Sequence, residues 1–179
     1  MTTTNFETTP SAPPRPEPCN LTKKEINNVA EYIATELEFN PGDELEPIVE
    51  FFGGSISYVD FTEWDRTDSA SMVVMGPKDF TMYIARFTGL LRDRFSIAHE
   101  LGHYVLHSQF GKIPCTVERF PPEGSDRLEW EANWFAAGFL MPSTDFEKSL
   151  KAGKSKLEMS SQFLVSEQAI HFRRKNLGL

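Results

Sequence analysis

Residues 95–107 read Phe95-Ser96-Ile97-Ala98-His99-Glu100-Leu101-Gly102-His103-Tyr104-Val105-Leu106-His107. Ile97, Leu101 and Val105 recur at helical spacing, which predicts a helix from about Leu91 to His107 with one buried stripe. His99 and His103 share another face of it, so both imidazoles can reach a single ion. Neutral imidazole suits zinc. Glu100 projects beside that ion, where an attacking water would sit, and a carboxylate there can take the water's proton. Gly102 lets another element pack closely against the back of the helix.

Two histidines do not complete a catalytic zinc site, which needs a third protein ligand and one open position. The next amphipathic stretch, Leu128-Glu129-Trp130-Glu131-Ala132-Asn133-Trp134-Phe135-Ala136, predicts a helix from about Asp126 to Leu140. Leu128, Ala132, Phe135 and Phe139 form its core face. Glu129 and Asn133 share an adjacent face, and Glu131 points roughly the opposite way. Glu129 is therefore the expected third ligand. Asn133 is its companion, accepting the second N–H of a bound histidine; Glu131 is the alternative ligand. The longer HExxHxxGxxH form is excluded, because positions 106 and 109 hold Leu106 and Gln109. His107 has three readings: a group behind the metal ligands, a transition-state donor, or a helix-end histidine on terminal carbonyls. Tyr104 and Arg94 are further candidates for the oxyanion donor.

Upstream, Thr22 and Glu25 form a capping-box pattern, and Ile26, Val29, Ala30, Ile33 and Leu37 mark one helical face. A short helix is expected over Leu45 to Phe52, stopped by Gly53-Gly54. Three strand-like runs follow, Ser55 to Val59, Ser71 to Met75 and Phe80 to Arg86, the last two joined by Gly76-Pro77 as a hairpin. A small sheet thus precedes the key helix. Phe80 to Arg86 is the best candidate for an edge that takes a peptide substrate by strand addition; an internal strand is the alternative. Ser108 to Ser125 reads as a loop that could shape specificity. After Pro142 a short helix is expected. The terminal stretch, residues 157–170, resembles a helix-turn-helix pair with Val165-Ser166 at the turn. Arg173, Arg174 and Lys175 give it a basic end. DNA binding is the lesser reading; Met159, Phe163, Ala169, Phe172 and Leu177 would equally pack two short helices on the body.

The chain has 179 residues, enough for one hydrophobic core, and 15 of them are Phe. Its formal net charge of −8 disfavours general binding to nucleic-acid phosphates. Cys19 and Cys115 lack the spacing of a metal or redox pair and read as reduced thiols. No apolar run has the length of a membrane span, and the N-terminus has no secretory pattern, so a cytoplasmic protein without membrane contact is expected. Residues 1–20 are Thr/Pro-rich and read as a disordered tail. The expected division is that tail, a peptidase-like domain over 21–152, and C-terminal helices over 153–179 packed on the same domain.

Arg94-Phe95-Ser96-Ile97-Ala98-His99-Glu100-Leu101-Gly102-His103, followed by Glu129-Trp130-Glu131-Ala132-Asn133-Trp134-Phe135-Ala136-Ala137-Gly138-Phe139-Leu140-Met141-Pro142, closely resembles the ImmA/IrrE metallopeptidases. The resemblance covers residues from about 25 to 179 and is strongest over 94–142. It implies an α+β fold of the minimal zincin type: a small twisted sheet packed on the HExxH helix, with a short helical C-terminal segment. It implies Zn2+ held by His99, His103 and Glu129, with Glu100 as the catalytic carboxylate. It also implies a protein substrate, since several such enzymes cleave a helix-turn-helix repressor encoded nearby. Such repressors silence mobile elements or damage responses, and other members look like parts of toxin–antitoxin pairs. The Pro-rich tail lies outside the shared pattern. The chain also ends soon after the peptidase region, without the C-terminal sensory domain of some relatives, so direct sensing of a small signal is not expected. The alternative to a site-specific protease is a zinc-stabilised binding module with little proteolysis.

Overall fold

Thr22 opens the first helix through both bonds of its capping box: its side chain accepts from Glu25 N–H, and the Glu25 carboxylate accepts from Thr22 N–H. The computed structural model describes residues 13–60, 70–85, 89–119, 124 and 126–179. Its elements are α1 (Lys23–Glu36), α2 (Glu46–Phe51), β1 (Gly54–Val59), β2 (Ala70–Gly76) and β3 (Asp79–Ala85). Then come α3 (Leu90–Gly102), a wide helical turn (His103–His107) and β4 (Cys115–Glu118). Four helices close the chain: α4 (Asp126–Leu140), α5 (Ser143–Lys151), α6 (Lys156–Phe163) and α7 (Glu167–Leu177). This is an α+β fold with a mixed sheet, consistent with the minimal zincin plan.

The sheet order is β1-β3-β2-β4. β2 and β3 form the expected hairpin, antiparallel with Met72 opposite Met82. β1 joins β3 in parallel, with Ile56 opposite Met82. This corrects the sequence reading of Phe80 to Arg86 as an edge: over its described residues β3 is internal, and Arg86 lies outside them. The edges are β1 and β4. β4 falls within the stretch read as a loop, whose positions 120–123 and 125 lie outside the described residues. Cys115 and Val117 turn inward and are buried, the alternation expected of a half-buried strand.

α4 is the hub. It packs against both α1 and α3, with Ala132, Phe135, Ala136 and Phe139 fully buried. Phe139 stacks on Phe39 at 4.7 Å and on Phe135 at 5.9 Å. The crossing with α3 is close because position 102 is glycine: a Cβ there would lie 3.1 Å from Ala132 Cα. That approach brings the faces bearing His99 and Glu129 together.

The C-terminal helices dock on the same body. Arg173 is 2% exposed and donates to Met141 O (2.8 Å), Glu31 (2.8 Å) and Asn27. It therefore belongs to the packing of α7 on α1 and α4 rather than to a basic surface. Among the described residues no helix is long and apolar enough to cross a membrane.

The N-terminal segment departs from the expected disordered tail. Positions 1–12 lie outside the described residues, but 13–20 are held by specific bonds. Pro14 O accepts from Thr116 N–H on the edge of β4 (2.9 Å), and Arg15 pairs with Glu118 (2.7 Å). The backbone amides of Cys19 and Asn20 donate to the Glu131 carboxylate at 2.8 and 2.9 Å.

Candidate metal centre

α3 carries His99, the wide turn that continues it carries His103 one turn on, and α4 sets Glu129 against both. His99 Nε2 and His103 Nε2 are 3.1 Å apart. Glu129 Oε2 lies 3.2 Å from His99 Nε2, and Glu129 Oε1 lies 3.7 Å from His103 Nε2. Two ring nitrogens and a carboxylate thus converge on one point, and the three residues could hold a metal ion. Zinc bound at 2.0–2.1 Å in tetrahedral geometry separates neighbouring donors by about 3.3 Å. The three observed edges bracket that length, so the donor set fits the ion.

The outer nitrogens are also engaged. His99 Nδ1 lies 3.1 Å from Asn133 Oδ1, which can only accept, so His99 Nδ1 carries a hydrogen and Nε2 is the nitrogen turned to the metal position. His103 Nδ1 lies 2.9 Å from His107 Nδ1, and His107 Nε2 lies 3.0 Å from Glu131 Oε2. Burial, helped by the neighbouring His99 and His107, drives the His103 pKa well below the ordinary imidazole value. Burial likewise lowers His107, although Glu131 opposes it. Both rings are therefore neutral, the form that binds metal. Burial pulls His99 down too, but its contacts with Glu129, Glu100 and Asn133 outweigh it and leave the pKa raised.

The wide turn explains the place of His107. Ser108 N–H bonds back five residues to His103 O (3.0 Å), where an α-helix would bond back four. Such widened turns recur at functional sites. Here the turn sets the His107 ring behind His103, 4.9 Å between ring centres, instead of beside the two ligand-bearing faces.

Glu100 lies at the floor of a cleft of about 180 Å³ whose walls include Ser71, Tyr83, Arg92, Glu118, Arg119 and Glu129. Its Oε2 has no hydrogen-bond partner among the described residues. Burial pushes its pKa up to about 7, with Glu129 adding to the rise and His99, Ser71 and Arg119 opposing it. A carboxyl group near 7 suits a general base at neutral pH.

That shift has a consequence for the metal-free protein. The folded carboxyl binds its proton more tightly than the unfolded one, whose pKa is near 4.5. Below about pH 4 both states hold the proton and there is no penalty. As pH rises through 7 the folded chain must ionise a buried group, at a cost on the order of 3 kcal/mol by pH 8. Metal-free Glu100→Gln will therefore be more stable than the parent by up to about 3 kcal/mol at pH 8, and equal to it near pH 4. Urea unfolding at the two pH values measures this.

Three expectations meet different surroundings. Tyr104 is buried away from the cleft: its ring stacks on Phe80 at 4.0 Å, and its hydroxyl accepts from Lys78 N–H (3.3 Å) and donates to Phe52 O (3.5 Å). Arg94 donates to Asp43 O and lies over the Phe39 ring, 5.8 Å from its centre. Neither side chain reaches the cleft as an oxyanion donor. Glu131, the alternative ligand, is fully buried behind the site. Its oxygens accept from Cys19 N, Asn20 N, His107 Nε2 and Arg127 Nε (2.7 Å). Burial alone would raise its pKa, but these donors hold it below the usual carboxylate value.

Cys19, His107 and Glu131 form a second group of metal-ligand type. Burial raises the Cys19 thiol to about 11, and an ion there would have to displace the four bonds to Glu131. That group is a support for the first. Ser71 on β2, Tyr83 on β3 and Arg119 just after β4 reach the cleft only through the sheet order, which the local sequence pattern does not reveal.

The model of the Peptidase_M78 family, described as the IrrE N-terminal-like domain, matches residues 79–175. The match is just over half of the chain and runs from β3 into α7. It contains His99, Glu100, His103, Glu129 and Glu131, and leaves out the N-terminal segment. No curated protein matches the chain.

Proposed function

Because this chain belongs to the IrrE N-terminal-like (ImmA/IrrE) family of metallopeptidases, we propose that it is a zinc-dependent endopeptidase working at His99, His103 and Glu129. The observation that carries this reading is the convergence of those three side chains beside a buried carboxyl, Glu100, with a pKa near 7. A purely structural site has no need of such a base, which favours an enzyme over a binding module.

Zinc bound by the three residues would polarise the scissile carbonyl and make an attacking water acidic. Glu100 takes the proton of that water at Oε2, the oxygen without a partner among the described residues, and passes it to the departing nitrogen. Asn133 holds the His99 ring in its working orientation. Arg119 and Tyr83, both on the cleft wall, are the proposed donors to the developing oxyanion. β4 borders the cleft through Val117 and Glu118, but Pro14 and Arg15 already bond its outer edge at Thr116 and Glu118, so an extended substrate that adds to β4 by main-chain pairing must displace the N-terminal segment.

The proposed substrate class is a helix-turn-helix repressor or antitoxin encoded near this chain, which rests on the family relationship. The test is incubation of the purified chain with such proteins, followed by intact-mass measurement. Cleavage at a defined bond should stop with a zinc chelator and return on adding zinc. Cleavage indifferent to the chelator, or none with any neighbouring repressor, would defeat the proposal.

A further inference from the structure

Glu131 and His107 extend the candidate metal centre inward, and the proton positions along that path have one solution. Both Glu131 oxygens accept, from the amides of Cys19 and Asn20 and from the Arg127 guanidinium, so the carboxylate has no hydrogen to offer His107. His107 Nε2, 3.0 Å from Glu131, must therefore carry a hydrogen. In the neutral ring this leaves Nδ1 as an acceptor, and His103 Nδ1, 2.9 Å away, supplies the hydrogen that it must carry if its Nε2 is to bind a metal. His103 Nε2 is left with its lone pair facing Glu129 and His99. Each step is set by the one before it, and the series begins at a group pinned by backbone atoms 111 and 112 residues away in sequence.

We propose that Glu131 is a positioning residue which, through His107, fixes the tautomer of His103, and that the N-terminal segment at Cys19–Asn20 holds Glu131 in register. Metal affinity then depends on a segment outside the family match. The inference rests on the zinc centre proposed above.

The surroundings fit this role. The Glu131 and His107 side chains are both completely shielded from solvent, so no water competes for the bonds between them. Arg127, also bonded to Leu21 O, balances the buried charge and ties α4 to the same N-terminal segment. Bonds to a ligand's outer nitrogen commonly change metal affinity by about 10- to 100-fold.

The test uses the full chain and two readouts. In the metal-free protein, ring nitrogen–proton correlation spectra report the tautomer of each of the 4 histidines, with exposed His171 as reference. Chelator competition reports zinc affinity. The parent should show His103 protonated on Nδ1. Glu131→Gln, whose amide can donate towards His107, should populate the opposite tautomer and weaken zinc about 10- to 100-fold. Deletion of residues 2–20 should move both readouts in the same direction.

If Glu131→Gln does not fold, position 107 decides. His107→Gln can donate to Glu131 and accept from His103, so it should keep zinc affinity within a few-fold, whereas His107→Leu should lose it as Glu131→Gln does. Equal affinity in His107→Gln and His107→Leu, or an unchanged His103 tautomer in Glu131→Gln, would overturn the proposal. Absence of zinc from the parent would instead defeat the metal-centre reading, while the metal-free spectra would still judge the relay.

Discussion

A Glu100→Gln variant will hydrolyse peptide bonds roughly a hundred- to ten-thousand-fold more slowly than the parent, the range for loss of a positioned general base. It will keep its zinc, because Glu100 is not among the converging donors. The amide is nearly the same size as the carboxyl, so the buried site keeps its packing. It has no oxygen able to take and return a proton at neutral pH. Substrate affinity should change little, so the loss should fall on kcat. The variant is the natural trap for a substrate, holding it uncut. Full biological effect in Glu100→Gln would mean that the chain works as a binding module.

Gly102→Val will both destabilise the fold and disable the centre. A Cβ at this position would lie 3.1 Å from Ala132 Cα and Phe135 Cβ and 3.2 Å from Ala132 O. Two of these are backbone atoms of α4 and cannot swing aside, so α4 must shift as a body. Overpacking of this kind costs about 1–3 kcal/mol. Glu129 lies on the same helix, one turn before Ala132, so the shift should also pull it from His99 and His103 and weaken zinc. Urea unfolding and chelator competition measure the two effects. Gly76→Ala is the control: its Cβ would meet nothing within 4 Å, and the change should stay within about 0.5 kcal/mol. Parental stability and zinc affinity in Gly102→Val would mean that α3 and α4 do not depend on this close crossing.

The parts of the site that could be read in the sequence obey local rules. His99 and His103 share a face because a helix turns once every 3.6 residues, and Glu129 and Asn133 follow the same rule on their own helix. The capping box at Thr22 and the hairpin at Gly76-Pro77 are equally local. Chain neighbours do not determine spatial order in a sheet. β3 follows β2 through a tight turn and looks like an edge, yet β1 returns to pair with it in parallel and makes it internal. β4 was hidden because four residues after Pro114 give too little alternation to distinguish from a loop.

Glu131 shows the same limit at the site. On a helical wheel it faces away from Glu129, so the sequence offers it only as the alternative ligand and shows nothing of what covers that face. The structure covers that face with Cys19 and Asn20, more than a hundred positions earlier. A Thr/Pro-rich stretch has too little apolar surface to bury itself, which is why it reads as disorder. Residues 13–20 are ordered instead by main-chain bonds to β4 and to one buried carboxylate. His103 to His107 looks like one more α-helical turn, and only the five-residue bond at Ser108 shows it to be wider.

The most direct measurement is elemental analysis of the purified chain beside Glu129→Ala, both prepared with ample zinc. About one zinc per chain in the parent, lost or much reduced in Glu129→Ala, is the expected result for a centre built from two imidazoles and one carboxylate. A parent without zinc, or a Glu129→Ala variant that keeps it in full, would contradict that centre.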